Sequence, residues 1–77
     1  MWSEGIIACP TTGGKYKYWV KLFKEGSKFG IDGGKVSKLT IRKVGETRDL
    51  CSYDRGWDIE PADEVKAVCA IILRKYN

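Results

Sequence analysis

Along residues 15–24 apolar and polar side chains alternate without a break. Tyr16, Tyr18, Val20 and Leu22 fall on one parity, and Lys17, Trp19, Lys21 and Phe23 fall on the other. A period of two is the mark of a strand with two unlike faces. Residues 35–44 repeat the pattern, with Leu39 and Ile41 inward and Lys38, Thr40 and Arg42 outward. Upstream, residues 3–9 carry Ile6, Ile7 and Ala8 and stop at Pro10 before Thr-Thr-Gly-Gly, which reads as an edge strand ending in a turn. Downstream, Gly45-Glu46 turns the chain into a fourth strand over residues 47–53. Its core face is open between Leu50 with Ser52 and Cys51 with Tyr53. Residues 25–34 form a loop long for a hairpin, and its Phe29 and Ile31 are expected to tuck back against the domain.

After residue 60 the period changes. Val65, Val68, Cys69, Ile72, Leu73 and Tyr76 make one stripe at helical spacing. Pro61, suited to a first helical position, and the acids that follow it predict a helix over residues 61–75. The elements together predict an α+β domain, β-β-β-β-α: a four-stranded antiparallel meander with one C-terminal helix on one face. Each apolar face needs a covering layer. One helix covers only one side of the sheet.

With 77 residues there is room for one core and hence a single domain over residues 1–77. A core of this size yields about 3–5 kcal/mol, which leaves a place for self-association. Cys9, Cys51 and Cys69 are an odd number with no C-x-x-C pair, so neither a disulfide framework nor a zinc spacing is present, and reduced thiols are expected. No signal-like N-terminus and no apolar run of membrane length occurs, which points to a cytoplasmic protein with no membrane partner. The net charge of +4 is unevenly spread, with a local balance of +7 over residues 15–48 and −5 over residues 49–64. Part of the second block is acids favoured at a helix N-terminus.

The chain has no histidine, which removes the usual general base, the Ser-His and Cys-His pairs and the commonest metal ligand. Asp54 and Asp58 form a carboxylate pair only on paper, since a strand-to-helix connection rich in Asp, Arg and Glu ordinarily serves capping and ion pairing. The expectation is a protein that is not an enzyme and holds no cofactor or metal. Gly13-Gly14-Lys15 and Gly33-Gly34-Lys35 resemble phosphate loops in composition, but each lysine opens a strand rather than a helix, so they read as turns with positive φ. The run Tyr53-Asp54-Arg55-Gly56-Trp57-Asp58-Ile59-Glu60-Pro61 has two readings. In one it is a rigid corner, turned at Gly56, with Trp57 and Ile59 closing the end of the core. In the other, Arg55 and Trp57 belong to a recognition patch, because Trp, Tyr and Arg dominate binding hot spots.

That run, with the upstream GIDGGKVSKL and the opening MWSEG, resembles a family of short uncharacterised proteins of Gram-positive bacteria, a domain of unknown function often found beside mobile elements. The resemblance covers essentially the whole chain and implies no activity and no site residues. Ala62 stands where the family pattern leads one to expect a Thr before the acidic first turn, which leaves the helix without a side-chain cap.

The uncovered sheet face is the remaining candidate. Lys17, Trp19, Lys21 and Phe23 on one strand stand beside Lys38, Thr40 and Arg42 on its neighbour, cation alternating with aromatic. Single-stranded nucleic acids are held in this way, bases stacking on rings while cations follow phosphates. A homodimer in which Trp19 and Phe23 of two copies meet, and a merely solvated face, are the competing readings. The expected function is a small binding module, nucleic acid ahead of a protein-interaction or homo-oligomerising role in the service of a mobile element. A DNA mimic would be acidic, and this chain is basic.

Overall fold

The computed structural model describes all 77 residues. Five strands lie in sequence order in one antiparallel sheet: β1 (Trp2–Ala8), β2 (Lys15–Leu22), β3 (Val36–Lys43), β4 (Cys51–Asp54) and β5 (Trp57–Ile59). The helix α1 (Asp63–Tyr76) follows. The α+β meander is therefore as expected, with five strands rather than four.

The additional strand comes from the run read as a corner. Tyr53 pairs with Trp57 and Ser52 with Ile59, and the Asp54 N–H donates to Gly56 O at 2.9 Å, so the corner is a tight β4–β5 hairpin. Its left-handed residue is Arg55, at φ 61°, and not the glycine beside it. Trp57 and Ile59 stay 39% and 42% exposed and do not close the core. Trp57 instead lies edge-to-face on Tyr53, centroids 5.0 Å apart.

β4 starts four residues later than the pattern suggests, because Thr47, Arg48 and Asp49 have no buried parity and Asp49 turns to meet Arg42. The register Ile41↔Cys51 and Leu39↔Tyr53 settles the core face in favour of Cys51 and Tyr53. The expected positive φ is present at Gly13 and Gly33, +74° and +72°. In the loop before β3, Ile31 is buried as expected, on a single 3-10 turn (Ile31–Gly33), whereas Phe29 is 50% exposed. Only Ile31 reaches the core.

Lys21 pairs with Lys38 but Leu22 pairs with Val36, which makes Ser37 the extra residue of a β-bulge. Strict alternation would put Val36 outside with Lys38. The bulge turns Val36 inward, and Ser37 is buried beside it with its hydroxyl on Lys21 O at 3.0 Å.

α1 begins at Asp63, with Ala62 as an N-cap that makes no side-chain bond, so Pro61 precedes the helix rather than opening it. Val65, Val68, Cys69 and Ile72 are buried from the helix side, against Tyr16, Tyr18, Val20, Leu39, Ile41, Cys51 and Tyr53 of the sheet. Leu73 and Tyr76 pack at the margin. No helix is long and apolar enough to cross a membrane.

Candidate functional site

The face turned away from α1 is assembled by register. Across β2 and β3, Lys17 stands opposite Arg42, Trp19 opposite Thr40 and Lys21 opposite Lys38. β1 extends the same face, with Ile6 opposite Lys17, Glu4 opposite Trp19 and Trp2 opposite Lys21. The Trp19 ring receives Lys17 Nζ at 5.2 Å and the Arg42 guanidinium at 5.4 Å from its centroid, and Lys21 Nζ lies 5.9 Å from that of Trp2. Within 6 Å of a ring centroid a cation is drawn to the π-face.

Like charges directly opposite on neighbouring strands are destabilising. This face has two such pairs flanking the Trp19–Thr40 pair. On β3 the repulsion is relieved by carboxylates: Arg42 Nε donates to Asp49 Oδ1 at 2.5 Å, and Lys38 Nζ lies 3.6 Å from Asp54 Oδ2. On β2 it is not, since Lys17 and Lys21 have no carboxylate partner and rest on aromatic rings. Glu4, though opposite Trp19, forms no ion pair. Trp2, Trp19, Thr40 and Arg42 line an open hollow of about 360 Å³. Its lining is two indole rings, a hydroxyl and one guanidinium, with Lys17 and Lys21 on the same face beside it, suited to a flat group bearing negative charge.

Six of the expected residues or their neighbours meet here: Lys17, Trp19, Lys21, Lys38, Thr40 and Arg42. Phe23 does not. It lies past the end of β2 and lines a separate hollow with Leu22, Lys24, Lys35, Lys75 and Tyr76. Arg55 and Trp57 belong to the β4–β5 hairpin, with β3 and β4 between them and the strand of Trp19. They form no common patch with it. The residue that sequence reading missed is Trp2. Its signal was the parity shared by Trp2, Glu4, Ile6 and Ala8, obscured because the apolar run Ile6-Ile7-Ala8 interrupts the visible alternation.

On the helix side, a polar brace joins α1 to the β1–β2 turn. Tyr16 Oη donates to Glu64 Oε1, and Thr12 Oγ1 donates to the same oxygen at 3.1 Å. The first of these bonds, aided by the second, holds the Glu64 carboxyl below its ordinary value, and the bond to Glu64 pushes the Tyr16 phenol up to about 12. Next to them Cys9 Sγ lies 3.2 Å from Thr11 Oγ1, and that hydroxyl, followed by Thr12, lowers the thiol to about 7. Tyr18 is pushed up to about 12 by burial and by its bond to Tyr76, which in turn meets Ser3 Oγ at 3.1 Å. Cys9, Cys51 and Cys69 are all buried free thiols.

Fold and face together define a class: a small antiparallel meander backed by one helix, with its opposite face bare, basic and aromatic. The chain belongs to the family described as Domain of unknown function (DUF7678), which matches it over residues 1–77. No curated protein and no solved structure matches it.

Proposed function

We propose that the bare sheet face binds single-stranded nucleic acid, and that the protein is a non-catalytic binding module. The observation that supports this most is the unrelieved positive charge of Lys17 and Lys21 beside the stacked, half-exposed Trp19. A phosphate backbone along β2 would neutralise those lysines. A base would replace one of the two cations now over the indole, freeing it for phosphate. Reduced thiols and the resemblance to short Gram-positive proteins support a cytoplasmic setting and service to a mobile element.

The test is titration of a labelled single strand at several salt concentrations. Two free lysines predict a logarithmic slope of at least about −1.4, rising toward about −3 if Asp49 and Asp54 release Arg42 and Lys38. Trp19→Ala should weaken binding by about 1–3 kcal/mol and leave that slope nearly unchanged. Absence of binding at low salt would refute the proposal. The second reading, a protein contact through the same face, is favoured by the apolar exposure of Trp2 and Ile6 around the hollow, 59% and 61%. It would take over if the variant changed the oligomeric state instead.

A further inference from the structure

The two edges of the sheet are not alike. β5 is a three-residue edge, with Asp58 inside it and Glu60-Pro61 directly after it. Shortness, charge and proline are the devices by which sheets stop a neighbour from adding a strand. β1 is neither short nor broken by proline, and Glu4 is its one charge. It is seven residues long, pairs in unbroken register with β2, contains no proline, lysine or bulge, and leaves Trp2 and Ile6 more than half exposed. On its outer side the backbone has no strand partner.

The sequence of β1 is also matched to itself. Laid antiparallel to a second β1 about a two-fold axis at Gly5, all seven residues pair: Trp2 with Ala8, Ser3 with Ile7, Glu4 with Ile6 and Gly5 with Gly5. Directly opposite residues of an antiparallel pair share a face. The bulky Trp2 therefore meets the small Ala8, the single charge meets an apolar side chain rather than its own copy, and no like charges oppose one another.

We propose that the β1 edge is a self-association surface, on which a second copy of this chain adds antiparallel about Gly5. The two sheets then run on as one, with both helices on one side and both basic faces on the other. The joint is backbone hydrogen bonding plus two Trp2–Ala8 and two Glu4–Ile6 contacts on one face and two Ser3–Ile7 contacts on the other. An interface of that extent makes a weak dimer whose population follows concentration. It does not depend on nucleic acid, and it differs from a dimer in which Trp19 surfaces meet face to face.

The pairing of Glu4 with Ile6 makes the register testable by charge. Sedimentation velocity of the parent protein up to millimolar concentration should show a monomer–dimer equilibrium. Ile6→Glu sets two Glu4–Glu pairs across the axis and should weaken the dimer roughly tenfold. Ile6→Lys sets two attractive pairs and should leave the dimer as strong or stronger. Adding Glu4→Lys to Ile6→Glu should restore what the single change removed. Position 6 is exposed, so the monomer fold tolerates each change, and circular dichroism checks it. A parent that stays monomeric overturns the proposal, as would equal effects of Ile6→Glu and Ile6→Lys. Loss of the dimer with Trp19→Ala but not with Ile6→Glu would also overturn it, in favour of the face-to-face arrangement.

Discussion

Glu64 occupies the first turn of α1, where a carboxylate ordinarily faces the free amides of its own helix. Here its oxygen takes hydrogen bonds from Tyr16 and Thr12, so it fastens the helix start to the sheet while Ala62 offers no cap. The pH dependence follows in sign. The carboxyl is held below its unfolded value, so its contribution is present above the ordinary carboxylate range and is lost as pH falls through the folded value. The Tyr16 phenol is raised to about 12 from 10.0, so its contribution is whole below pH 10 and declines between about 10 and 12. Thermal melts across pH should therefore fall away at both ends. Glu64→Gln should flatten the acid limb, and Tyr16→Phe should lessen the alkaline one, to which Tyr18, also raised to about 12, contributes as well. At Arg55 the left-handed backbone is strained for any residue with a Cβ, so Arg55→Gly should raise stability by roughly 0.5–1 kcal/mol in urea unfolding. It should leave binding by the Trp19 face unchanged, since Arg55 lies elsewhere.

Among the elements, α1 closes the core. Ile72 is 1% exposed, and Ile72→Asp would bury a carboxylate with no partner, more than a domain of this size can absorb. The expected outcome is loss of the cooperative transition in calorimetry. The helix stripe, the parity of β2 and the inward pair on β3 were legible in the sequence because one side of each is buried and the other wet, which imprints a period. β4 and β5 were not, for the opposite reason. β4 holds four residues and β5 three, too few to display a period, and neither face of β5 is buried. Phe23 was misplaced with the Trp19 row because a parity carries a residue only as far as the strand itself runs, and β2 ends at Leu22. Lys17, Trp19, Lys21, Lys38 and Arg42 came together as read because their strands are adjacent and regular there. What a single strand could not disclose was which side chains stand opposite one another, and hence that Lys17 faces Arg42 and Lys21 faces Lys38.

At the scale of the whole molecule, every strand neighbours the next in sequence, so the sheet needs no long crossover and the helix docks last in chain order. All three thiols sit inside that single core. A thiol reagent should thus modify Cys51 and Cys69 together at a rate set by global opening, and slowly under native conditions; prompt reaction of either would mean that the core opens in parts. The distribution of aromatic side chains divides along the same line. The rings inside the core are tyrosines, Tyr16, Tyr18 and Tyr53, while Trp2, Trp19 and Trp57 all lie at the surface. The indole emission of the folded protein should consequently resemble that of the denatured chain, and a melt followed by tryptophan fluorescence would look nearly flat while the near-ultraviolet dichroism of the tyrosines collapsed. The same arrangement turns the indoles into an optical sensor of the outside: quenching of emission on mixing reports whatever settles on the sheet, undisturbed by events within the core.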